Sequence, residues 1–88
     1  MRGLLGRPPL AADEALVIVP CSSVHTFGMT CGLDLIYLNR DWTVRKLVNE
    51  LPPWRMSACP GAAMVVELAG GRLRDIDLSI GEPLRWEN

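Results

Sequence analysis

Apolar positions along the chain fall in short blocks cut by polar, glycine and proline residues, and most of the blocks read as strands. Leu16-Val17-Ile18-Val19 is rich in β-branched residues and closed by Pro20, so it is expected to form a buried strand. Leu33 to Asn39 is a second strand; alternation puts Leu33, Leu35 and Tyr37 on one face and Asp34, Ile36 and Leu38 on the other. Ala62 to Ala69 is a third, with Met64, Val66 and Leu68 alternating against Val65 and Glu67, and Gly70-Gly71 ends it. Between the first two strands lies a connector, Pro20 to Met29, with its Val24-to-Met29 half extended and Gly28 and Gly32 marking bends.

The remaining segments are shorter. Arg2 to Arg7 has room for one helical turn before Pro8-Pro9 stops it, and Leu10 to Glu14 is a surface link. Asn39 to Trp42 is a turn by its polar content. Pro52 to Gly61 is a proline-rich loop. Arg72 to Asp77 makes a short helical turn with Leu73 and Ile76 inward, and Leu84 to Trp86 a last short strand. Thr43 to Leu51 pulls two ways. Val44, Leu47, Val48 and Leu51 stand at i, i+3, i+4 and i+7, the spacing of an amphipathic helix that Asp41 would cap. Its position after a short turn is that of a hairpin partner.

Length and charge narrow what such a chain can be. Its 88 residues make one small domain with a modest core, burying about 60% of the surface of the unfolded chain. Nine basic and ten acidic residues leave a net charge of -1, which offers no basic field for nucleic acid. No apolar run approaches the roughly 20 residues that cross a bilayer, and Met1 to Leu10 lacks the apolar core of a signal peptide. The expected location is therefore cytoplasmic, with no membrane partner. Cys21, Cys31 and Cys59 are odd in number and show no CxxC pair, so they are expected as buried free thiols in a reducing compartment.

The unusual side chains gather in few places. Pro20 to Met29 holds the only histidine, His25, and the only phenylalanine, together with Cys21, Thr26 and Met29. Asp34 is a carboxylate on an otherwise apolar strand; if buried, it must be paired or hydrogen-bonded. It accepts backbone N–H bonds from the Gly28-to-Gly32 segment, contacts a ligand or proton together with His25 or Arg55, or is simply exposed at the strand end. Glu67, near the end of its strand, could face water. Cys21 and His25 are spaced C-x3-H, but two ligands are too few for zinc, and no metal is expected. A thiolate pair of Cys21 and His25 would need a third, orienting group, which Asp34 could supply. Trp54 and Arg55, types over-represented at binding hot spots, are either an exposed recognition element or, for the tryptophan, a lid over one end of the fold. Trp42 and Trp86 are expected as packing at the core edge. No phosphate-binding, dinucleotide, zincin or hydrolase motif occurs, and no cofactor is called for.

Several of these stretches, in order, resemble one family. Gly3-Leu4-Leu5-Gly6-Arg7, Pro20-Cys21-x-x-Val24-His25-Thr26-Phe27-Gly28-Met29, Leu33-Asp34-Leu35-Ile36-Tyr37-Leu38, Leu51-Pro52-Pro53-Trp54-Arg55, Val66-Glu67-Leu68-Ala69-Gly70 and Ile80-Gly81-Glu82 are similar to the domain of unknown function 192, found in bacteria and archaea. The resemblance implies a mainly β fold, a small barrel or sandwich with one or two short helical turns. It also implies that Thr43 to Leu51 is a strand paired with Leu33 to Asn39. It marks Met29, Asp34 and Glu67 without giving them roles. Residues 1–88 are then a single domain expected to lack the first strand that relatives carry. The sheet edge so exposed invites a homodimer. Trp42 replaces a frequent glycine and Thr30 a basic residue, which bears on the hairpin and on anion contacts beside Met29. The function expected is a non-enzymatic binding module for a small molecule or protein, using Cys21, His25, Thr26, Met29, Asp34, Trp54 and Arg55. The alternative is a hydrolase- or isomerase-like enzyme using His25 with Asp34 or Cys21.

Overall fold

The computed structural model describes residues 2–3, 14–26 and 32–84. Their strands are β1 (Arg2–Gly3), β2 (Ala15–Ile18), β3 (Ser23–His25), β4 (Leu33–Leu38), β5 (Val44–Leu51), β6 (Met56–Ala58) and β7 (Met64–Ala69), followed by a 3-10 helix at Arg72–Asp75. They form two sheets. One has the order β2-β7-β4-β5, antiparallel throughout; the other has the order β1-β3-β6. In the smaller sheet β1 runs parallel to β3, and β6 antiparallel to it. The sheets are not closed into a barrel, so of the two expected forms the sandwich is the one found.

Alternation in β4 and β7 divides the core into two layers. Leu33, Leu35, Tyr37 and Val65 pack with Val24 of β3 and with Cys21 and Cys59, filling the space between the sheets. Ile36, Leu38, Met64, Val66 and Leu68 cover the opposite face with Val44 and Leu73, and Trp42, Ile76, Leu78 and Leu84 pack against them. The short helix thus uses Leu73 and Ile76 as its inward side, as its sequence predicts.

β5 explains its own helix-like pattern. Val44 lies opposite Leu38, Lys46 opposite Tyr37, Leu47 opposite Ile36, Val48 opposite Leu35 and Leu51 opposite Leu33. The strand therefore carries an extra residue at two places, after Val44 and after Val48. Each bulge lets residues three apart share a face. Val44 and Leu47 pack in one layer, Val48 and Leu51 in the other. The i, i+3, i+4, i+7 set is two apolar residues on each side of a twice-bulged strand. Glu50, in the second bulge, has φ 52, and Trp42, in the preceding turn, has φ 67. That turn keeps its hairpin without glycine: Asn39 N–H donates to Thr43 O (2.9 Å) and Trp42 N–H to Asn39 O (3.0 Å). Asp41 caps the turn rather than a helix, accepting from Thr43 N–H at 3.1 Å and Thr43 Oγ1 at 2.6 Å. The Thr43 hydroxyl holds its carboxyl below the ordinary 3.8.

Other expectations are corrected. β2 is an edge strand with two of its four side chains exposed and only Ile18 fully buried, not a buried strand. Arg2-Gly3 is strand, not a helical turn. Part of the Pro20-to-Met29 connector, and three residues of the Pro52-to-Gly61 loop, pair as β3 and β6. Of the expected last strand, Leu84 is in no strand and donates its N–H to Trp42 O (2.8 Å), after an isolated bridge between Pro83 and Thr43; residues 85–86 lie outside the described residues. Glu67 does not face water. β7 is flanked by β2 and β4, and Glu67, between Leu16 and Leu35, is 0% exposed.

Candidate functional site

Asp34 sits at the start of β4 and is 0% exposed. Its Oδ1 accepts the backbone N–H of Glu50 (2.7 Å) and of Gly71 (3.0 Å), and its Oδ2 that of Leu73 (2.6 Å). The carboxylate thus accepts backbone donors from the β5 bulge and the start of the 3-10 helix; of the expected Gly28-to-Gly32 segment, residues 28–31 lie outside the described residues. One side chain ties three elements together and supports the left-handed residue Glu50.

This placement separates the side chains proposed as catalytic. Val24 points into the core between the sheets, so the next residue, His25, alternates to the outer face of the small sheet. Asp34 lies on the far face of the large sheet, with both oxygens engaged. A full sheet and a core layer stand between them. Cys21 is also out of register with His25: its side chain is buried in the inter-sheet core, and its Sγ donates to Ser23 O at 3.1 Å. Asp34 therefore orients neither residue and belongs to the framework. Met29 and Cys31 lie outside the described residues. Among the described residues, no three His, Cys, Asp or Glu side chains are grouped to hold a metal ion, and no helix is long and apolar enough to cross a membrane.

The structure does bring Thr26 to Trp54 and Arg55. Thr26 follows β3 and is 0% exposed. Its N–H donates to Arg55 O (2.9 Å), and its carbonyl accepts from Trp54 N–H (3.0 Å). Its hydroxyl donates to Pro52 O (2.7 Å) and accepts from Arg55 N–H (3.0 Å). The hydroxyl is thus inserted between the carbonyl and the N–H that would close an ordinary turn over residues 52–55. Pro53 pre-sets the second turn position, and Trp54 takes φ 62 at the third, where turns of this form favour glycine. Trp54 is 63% exposed, so it is no lid. Two residues on, Met56 pairs with His25 across the sheet and is 57% exposed. It escaped the sequence reading because three residues between proline and glycine carry no periodicity.

Behind this face lies a buried polar group. Tyr37 Oη donates to Ser57 Oγ (3.1 Å), which reaches inward from β6. Burial raises the Tyr37 phenol above its ordinary 10.0; the bond to Ser57 opposes this, and Cys21, Cys59 and Glu67 add to it. Lys46 Nζ, 5.9 Å from the Tyr37 ring centroid, donates to Ala58 O at 2.9 Å and ties β5 to β6.

Known proteins share this fold. A protein of unknown function from Novosphingobium aromaticivorans matches with a TM-score of 0.79 at 21% identity, over 96% of this chain and 65% of that one. A protein from Sinorhizobium meliloti, described as a "putative transcription regulator", matches with a TM-score of 0.72 at 21% identity, over 94% of this chain and 70% of that one. The chain thus spans about two thirds of the length of each. No curated protein matches it. The model of domain of unknown function 192, described as "Uncharacterized ACR", matches residues 1–86. With that match over almost its whole length, the chain belongs to the domain of unknown function 192 family.

Proposed function

We propose that the protein is a non-enzymatic binding module whose recognition element is the Trp54-Arg55 loop, flanked by His25 and Met56. The observation that carries this reading is the state of Trp54. A large aromatic is held in solvent at φ 62, in a position where glycine would complete the turn without strain. Left-handed backbone at a bulky residue costs about 1–2 kcal/mol and persists only where the surroundings enforce it. Here buried Thr26 enforces it through four hydrogen bonds. The indole is not packed in either core layer. An exposed tryptophan on a fixed backbone, beside an arginine, has less conformational entropy to lose on binding than one on a mobile loop.

Trp54→Gly separates folding from binding, because glycine accepts the same φ. Amide shifts of the labelled protein titrated with metabolite mixtures and cell extract are expected to cluster at residues 25–26 and 54–56. The Trp54→Gly protein should unfold at an equal or higher denaturant concentration and lose those shifts. Shifts that cluster elsewhere, or that persist in the variant, would sink the proposal.

A further inference from the structure

The segments that build this loop and its strands contain no acidic residue. Between Glu14 and Asp34, and again between Glu50 and Glu67, the sequence has no acidic residue. These two acid-free stretches supply β3, β6 and the Trp54 loop. Among the described residues, β3, β6 and the Trp54 loop therefore carry one cation, Arg55, and no carboxylate, although the net charge of the chain is -1.

Arg55 makes no ion pair among the described residues. It is exposed, and among the described residues its Nη1 donates to the carbonyl of Trp54, at 3.3 Å. Three other cations are engaged: Arg74 with Glu50 (3.4 Å), Arg45 with Asn39 Oδ1 and Pro60 O (3.0 Å each), Lys46 with Ala58 O. Arg55 stands between two exposed apolar side chains, Trp54 and Met56. Ala58, also exposed, continues the strand as a small residue.

Resting on the recognition surface proposed above, we infer that its partner is a protein segment presenting an aliphatic or aromatic side chain with a carboxylate beside it. The apolar group packs against Trp54 and Met56, and the carboxylate takes the guanidinium of Arg55, which can bind it through two N–H donors. Nucleic acid suits the face less well: it offers few cations, and phosphate-backbone binding draws on many.

The test is selection of a random peptide library displayed on phage against the intact protein, with Trp54→Gly and Arg55→Gln proteins as counter-selections. Enriched peptides are expected to combine Asp or Glu with Leu, Ile, Phe or Met. A synthetic copy should bind Arg55→Gln at least about tenfold more weakly, and the difference should shrink in high salt. Enrichment that needs Trp54 but yields neutral or basic peptides, or is indifferent to Arg55→Gln, overturns the carboxylate partner and leaves the surface standing. No enrichment dependent on Trp54 overturns both. Two further results would reassign the occupant and overturn this inference. One is sedimentation showing self-association abolished by Trp54→Gly. The other is a single-stranded oligonucleotide displacing the peptide in equimolar amount.

Discussion

Asp34 and Trp54 show at the scale of single residues how structural and recognition roles differ. Both are out of place by composition, a carboxylate in a core strand and an indole in water. Asp34 is matched in every direction by backbone donors, so its burial is accounted for within the fold. Removing it strands three N–H groups that no neighbouring side chain replaces. Asp34→Ala is expected to cost about 3–5 kcal/mol, since unsatisfied buried donors cost about 1–3 kcal/mol each and partly regain water. Asp34→Asn should recover little, because its amide turns a donor toward other donors. Urea unfolding measures both. A loss below about 1 kcal/mol for Asp34→Ala would mean that the carboxylate does not hold the bulge and helix together.

Among the elements, β5 is where sequence and fold diverge most, and a substitution can tell its two readings apart. Glu50 has φ 52, and its side chain makes an exposed ion pair with Arg74 worth at most about 1 kcal/mol. In a bulge, Glu50→Gly removes the left-handed strain and should leave stability unchanged or raise it by up to about 1 kcal/mol. In a helix the same change would lower stability by about 1 kcal/mol. A fall in the unfolding midpoint for Glu50→Gly, with a rise for Glu50→Ala, would overturn the bulge. The divergence has a plain cause. β4 is legible because the residues of both its faces are apolar, and β7 because it alternates cleanly. β5 is not, because two inserted residues turn period two into an apparent period near 3.6. β3 and β6 are too short to show any period. The partners of Asp34 were illegible for another reason: they lie 16, 37 and 39 residues away along the chain. Trp54 and Arg55 stood out by residue type alone, but only the fold decides between lid and exposed element.

Across the whole molecule the two sheets are unequal. The larger has strands of four to eight residues with an apolar layer on each face; the smaller has strands of two and three. The smaller is joined to the rest through the inter-sheet core, the Tyr37–Ser57 bond and the Lys46–Ala58 bond. Local opening follows the number of buried contacts and paired strands, so the small sheet should open without the large one. Amides of β4 and β7 are expected to exchange only on global unfolding, and those of β3 and β6 at least about tenfold faster, a gap of about 1.4 kcal/mol. The recognition loop hangs on the less stable sheet through Thr26. A bound partner stabilises whatever state it requires, and here that state is the closed small sheet. Ligand should therefore slow exchange in β3 and β6 until it approaches that of β4, while leaving β4 and β7 limited by the global reaction. Equal protection of both sheets in the unbound protein would contradict this picture, because the loop would then be as firmly built as the core behind it.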